Sequence, residues 1–137
     1  MKREFSAGGV LVRRLSGRWM VAAIRPDGKP KGLWALPKGR IDPGERGEET
    51  GAHGRSLGKL GDVRYTFTWD GERIFKVVSF FLVRYERGRL GDLPPEFRHE
   101  VAEVRWLPLE EAPRLLAYGG ERQMAQKAWD RLSEKDV

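Results

Sequence analysis

Gly39-Arg40-Ile41-Asp42-Pro43-Gly44-Glu45-Arg46-Gly47-Glu48-Glu49-Thr50-Gly51-Ala52 joins a loop to a cluster of acids. Pro43-Gly44 is turn chemistry. Directly after it, Glu45, Glu48 and Glu49 stand at i, i+3 and i+4, a spacing that puts three carboxylates on one helix face. Clustered carboxylates call for a cation. Mg²⁺ takes hard oxygen ligands and shares them with substrate phosphates, so the acidic knot reads as a metal site in an otherwise basic chain. The other reading stands beside it with equal weight: acids collect in the first turn of a helix because they complement its dipole.

The flanking residues add a resemblance. Leu36-Pro37-Lys38-Gly39, the five residues separating Gly39 from Glu45, Pro43-Gly44-Glu45 and Glu48-Glu49-Thr50-Gly51-Ala52 together resemble the signature of the Nudix hydrolases, the MutT-like family. That resemblance implies an α/β (α+β) class, an α/β/α sandwich with a mixed β-sheet and a C-terminal helix. It also implies a signature helix that carries the metal ligands. Carried over by position, Glu45, Glu48 and Glu49 become ligands of Mg²⁺, with Mn²⁺ as the substitute ion, and Glu48 and Glu49 become the catalytic carboxylates. The signature is shorter here by about nine residues, because only Arg46 and Gly47 separate Glu45 from the Glu48-Glu49 pair. Read without a gap, the family's Arg-Glu centre falls on His53 and Gly54. Two placements of the gap fit, with Glu48-Glu49-Thr50 at the start or at the end of the family's helix. A third register keeps Glu45, Glu48 and Glu49 as a compressed version, in which Gly47 weakens an already short helix.

Composition bounds the rest. A chain of 137 residues is read as one domain, 1–137, large enough to bury a core without staples. Zero cysteines exclude disulfides, thiolate metal sites and a cysteine nucleophile, and they match a reducing compartment, so a cytoplasmic location is expected. Met1 to Phe5 carries no apolar leader region, and no apolar run reaches bilayer-spanning length, which speaks against a membrane partner. The net charge is +6 and the isoelectric point is near 9.9, which favours a polyanionic partner. Because the cations are scattered and mixed with 20 acids, a nucleotide or polyphosphate is preferred over nucleic acid. The assembly expected is a monomer or homodimer.

Ala7 to Val12 and Trp19 to Ile24 are short apolar runs around a polar Arg13 to Arg18 segment and read as a hairpin. Gly8-Gly9 marks a bulge or close packing. Arg25, Lys29, Lys31 and Lys38 crowd the approach to the carboxylates. Lys38, fixed between Pro37 and Gly39, is the one best placed to neutralise phosphate charge, whereas Lys29 and Lys31 read as solvated. Asp70-Gly71 is the strongest hairpin signal and predicts the pairs Trp69 with Glu72, Phe67 with Ile74 and Tyr65 with Lys76. Tyr65, Phe67 and Trp69 then share a face, for which core packing is favoured over stacking on a base.

Glu100 to Trp106 alternates as a strand, and Leu107 to Ala112 is read as opening a helix. In the family an acid a few positions before the tryptophan supplies an extra ligand or base, and Glu100 takes that role in preference to Glu103. His53 and His99 have no second ligand of their kind. Met124, Ala128, Trp129 and Leu132 form the apolar stripe of a helix over 121–133.

The substrate-binding candidates are Arg25, Lys38, Gly39, Tyr65 and Lys76. The function implied is a Mg²⁺-dependent pyrophosphohydrolase that cleaves a phosphoanhydride in a nucleoside diphosphate derivative, with a dinucleoside polyphosphate suggested by Leu36-Pro37-Lys38-Gly39. The alternatives are a binding or regulatory domain that keeps the fold without the chemistry and, ranked last, a nucleic-acid-binding module.

Overall fold

Two tight turns set the sheet. In a computed structural model that describes residues 1–39, 52–92 and 101–135, Ser16 and Gly17 both take positive φ (52° and 79°), and so do Asp70 and Gly71 (51° and 75°). These are two-residue turns whose twist matches that of the strands they join. The first joins β1 (Lys2–Leu15) to β2 (Arg18–Pro26), pairing Leu15 with Arg18 and Val12 with Val21. The second joins β4 (Ala52–Trp69) to β5 (Glu72–Gly88) in the predicted register, Trp69 with Glu72, Phe67 with Ile74 and Tyr65 with Lys76. Between the hairpins lies β3 (Lys38–Gly39), and after them β6 (Val101–Pro108).

The strand order is β4-β5-β1-β2-β6, with β3 antiparallel to β1. β1 and β5 run parallel over Lys2–Val12 and Ile74–Arg84, and the other pairings are antiparallel, so the sheet is mixed. Val10, Leu11 and Val12 at the centre of β1 are all fully buried, which requires cover on both faces. On one face α2 (Gly119–Lys135) lays Met124, Ala125, Ala128 and Leu132 over Val10, Val12, Val78, Phe80 and Leu82. On the other, Leu11, Ala22, Ala52 and Val83 gather with Phe81, Tyr85, Leu90 and Trp106. Gly8 marks close packing, since a β-carbon there would lie 2.3 Å from the Phe80 ring.

The class is α+β with a mixed sheet and a C-terminal helix, as expected. Three local readings change. The helix expected to open at Leu107 starts at Ala112 as α1 (Ala112–Leu115), because Leu107 and Pro108 continue β6 opposite Val21 and Met20. The last helix is longer than 121–133 and starts at Gly119. The Tyr65-Phe67-Trp69 face is not core: Tyr65 is 40% and Trp69 71% exposed. Gly120, at the start of α2, abuts Val63, so the helix ends its cover one step before Tyr65.

β4 begins at Ala52, paired with Gly88, and a helix cannot run past that point. The residues on which the two placements of the gap differ, 40–51, lie outside the described residues. Among the described residues no helix is long and apolar enough to cross a membrane.

Candidate active site

The stretch leading into the acid cluster is threaded through the body of the protein. Ala35 exchanges two backbone hydrogen bonds with Ile24, each 2.8 Å, and the Trp34 carbonyl accepts the Ala117 N–H at 2.9 Å. The Pro37 carbonyl accepts the Gly9 N–H at 3.2 Å, and β3 pairs Lys38 with Gly8 and Gly39 with Ala7. The Leu36 N–H donates to Glu121 Oε1 at 2.6 Å, which ties the stretch to the first turn of α2.

Glu121 is the one buried charged residue among the described residues, 3% exposed. A carboxylate taken out of water needs compensation, and it has two partners: the Leu36 N–H and the Lys38 ammonium, which forms an ion pair with Oε2. Its place in the first turn of α2 adds the favourable end of the helix dipole. Lys38 Nζ also donates to the Leu36 carbonyl at 3.3 Å and sits 5.9 Å from the centre of the Tyr118 ring.

Tyr65 lies within electrostatic reach of Lys38, Glu121, Glu4 and Tyr118. Partial burial of its phenol raises the pKa above the ordinary 10.0. Lys38 opposes the rise, and the negative charges of Glu121 and Glu4 add to it. Lys76 is the cross-strand partner of Tyr65, and the Tyr65 and Phe67 rings lie 6.0 Å apart, tilted by 38°. Lys38, Tyr65, Lys76 and Tyr118 thus meet on the part of the sheet that α2 leaves open, beside the strand from which the chain enters the acid cluster. The exposed rings beside Lys76, with Lys38 balanced by Glu121, suit a ligand that carries a flat apolar group and a negative charge.

Arg25 is held elsewhere. Its Nε bonds Glu103 at 3.1 Å and its Nη1 donates to the Lys29 carbonyl at 3.0 Å, which fixes it between β2 and β6. Glu103 also bonds Arg105 at 3.4 Å, so two arginines occupy that acid. Gly39 contributes backbone, paired to Ala7. Glu45, Glu48, Glu49 and Glu100 lie outside the described residues. Among the described residues no group of three or more acids, histidines or cysteines is placed to hold a metal. The donor chemistry of those four glutamates, carboxylate oxygens only, fits a hard divalent ion.

Glu121 and Tyr118 are the members of this surface that sequence reasoning missed. Glu121 looked like an ordinary first-turn acid, and nothing in the Gly119-Gly120-Glu121 sequence marks it as buried. Tyr118 carried no signal at all.

A NUDIX domain model matches residues 2–128. The chain belongs to the NUDIX family. A Mycobacterium tuberculosis protein named mutator protein MutT4 is 41% identical over 145 positions, covering 96% of this chain and 56% of that protein. This NUDIX chain therefore spans about half the length of that relative. The aligned stretch exceeds the 137 residues present here, so the relative carries residues that this chain lacks. Among solved structures, the fold is similar to a MutT NUDIX hydrolase from Burkholderia pseudomallei (TM-score 0.62, 21% identity, 93% of this chain and 98% of that one). It is also similar to the NUDIX domain of Shewanella oneidensis NrtR complexed with ADP ribose (0.64, 19%, 96% and 90%). A third likeness is to a C. elegans Ap4A hydrolase (0.58, 21%, 95% and 98%).

Proposed function

We propose that this NUDIX chain is a hydrolase of acid anhydrides that splits a phosphoanhydride in a nucleoside diphosphate derivative, with a dinucleoside polyphosphate as the substrate to try first. The observation that carries the proposal is the surface formed by Lys38, Tyr65, Lys76 and Tyr118, of which Lys38 lies seven residues before Glu45 in the chain. Lys76 neutralises phosphate oxygens, Lys38, its charge balanced by Glu121, adds an N–H donor, and Tyr65 with Tyr118 takes the base. Glu45, Glu48, Glu49 and Glu100 hold Mg²⁺, for which Mn²⁺ substitutes. When bound, that ion polarises phosphate oxygens and makes water a better nucleophile. Glu48 or Glu49 takes the proton of the attacking water. The similarity to an Ap4A hydrolase supports the choice of first substrate. The cytoplasm, where nucleotides are abundant, is the location that goes with this reading.

The test is hydrolysis of a dinucleoside polyphosphate, followed by separation of the nucleotide products. Turnover is expected with Mg²⁺, and a loss of at least about a hundredfold in Glu48→Gln and Glu49→Gln. Full activity in EDTA overturns the metal mechanism.

A second reading has its own observation. The shortened signature, with two residues between Glu45 and Glu48, favours a domain that binds nucleotides without turning them over. Calorimetry showing saturable nucleotide binding, with no product after prolonged incubation in Mg²⁺, would establish it.

A further inference from the structure

The positive charge of the chain is not absorbed by the Lys38 surface. Much of it collects at the opposite end of the sheet, on the same face as α2. Arg55 of β4 stands directly opposite Arg84 of β5 in the antiparallel ladder. Partners in such a ladder share a face, and like charges so placed repel. The face is fixed by Trp19, a member of the core under α2, because the Arg84 guanidinium lies 5.3 Å from its ring centre. Arg14, the cross-strand partner of Trp19, lies over the same ring at 5.5 Å. Arg18, the neighbour of Trp19 in β2, alternates away from that face. Among the described residues its carboxylate partner, Glu111 at 3.8 Å, is shared with Arg114. Among the described residues no carboxylate pairs with Arg55 or Arg84.

We propose that Arg14, Arg55 and Arg84, on the sheet face that carries Trp19, form a second anion site that takes a chain of phosphates. Three features choose this ligand. Guanidinium groups on separate strands present several paired N–H donors, which suit tetrahedral oxyanions with more than one phosphate. The indole beneath is only 9% exposed, so it orients the guanidiniums and leaves no ring on which a base could stack. The opposed Arg55–Arg84 pair destabilises the empty fold, and a bound polyanion removes that repulsion. The site is distinct from the Lys38 surface: Arg14 lies six residues along β1 from Gly8, the partner of Lys38, or about 20 Å.

The test follows the Trp19 indole N–H by ¹⁵N NMR, its peak assigned by loss in Trp19→Phe. Inorganic tripolyphosphate at low ionic strength is expected to shift that peak saturably, whereas sodium chloride of equal ionic strength does not. Arg84→Gln should weaken the interaction about tenfold. Arg55→Glu turns the repulsive pair into an attractive one. It should raise the melting temperature by about 2 °C while abolishing the tripolyphosphate shift. Lys76→Ala should leave the Trp19 shift intact. A ten-residue oligothymidylate that shifts the same peak with steep salt dependence identifies a nucleic-acid backbone as the source of the phosphates. A response to tripolyphosphate alone identifies the free polyphosphate. If neither probe moves the Trp19 peak, or if Arg84→Gln and Arg55→Glu bind as the parent does, the site is refuted.

Discussion

Lys38 and Glu121 form an ion pair across the seam between β3 and the first turn of α2, and the same carboxylate accepts the Leu36 N–H. The pair is asymmetric: the glutamate side chain is 5% exposed and the lysine side chain 25%. Removing the lysine leaves a buried charge uncompensated. Lys38→Met is therefore expected to destabilise the fold by about 3 kcal/mol, and adding Glu121→Gln should recover most of that loss. Urea unfolding of the two single variants and the double variant measures the coupling. Additive losses would show that the pair is not coupled.

Tyr65 holds its proton more tightly in the folded protein than in the unfolded chain, chiefly because it is partly buried. The stability linked to this proton is fully present below the ordinary tyrosine value of 10.0 and is lost as pH rises through the higher folded value. Ultraviolet titration should show one phenol ionising late, and the late step should vanish in Tyr65→Phe.

Asp62 behaves in the opposite sense. Lys59 Nζ at 2.8 Å, Ser79 Oγ at 2.7 Å and Arg64 at 3.3 Å hold its carboxylate ionised, and its pKa lies below the ordinary 3.8. Stability from this group is present above 3.8 and disappears as pH falls through the lower folded value. Asp62→Asn should flatten that part of the acid-unfolding curve, followed by circular dichroism.

Gly8 lies under the Phe80 ring, so Gly8→Ala should cost about 2–3 kcal/mol, and Phe80→Leu in the same chain should recover part of it. Thermal unfolding of both variants decides the matter. A Gly8→Ala protein as stable as the parent would show that the ring moves aside freely.

What could be read from the residues alone was local. The second hairpin announced itself through the two-residue turn Asp70-Gly71, and the predicted pairing of Tyr65 with Lys76 holds; the first was legible from its two apolar runs, although its strands extend through Leu15 and Arg18, which read as connecting segment. The stripe on α2 was equally legible because helical periodicity is written in the chain: Met124, Ala128 and Leu132 are buried, and Trp129 packs beside them. The exposure of Tyr65 and Trp69 was not legible. It depends on where α2 starts, set by Gly120 against Val63, two residues nearly sixty positions apart. The burial of Glu121 was hidden for the same reason. An acid in a first turn has the same local pattern whether water or Leu36 and Lys38 face it.

The parallel ladder between β1 and β5 has a kinetic consequence. Each residue from Lys2 to Val12 finds its partner about seventy positions later, whereas both hairpins close through two-residue turns. Closing so long a loop carries an entropic penalty that the hairpins avoid, so the two hairpins form early and their joining is the slow event of folding. On the ribosome, the central strand waits with one edge unpaired until Ile74 to Arg84 have emerged. Throughout that interval it is open to capture by chaperones.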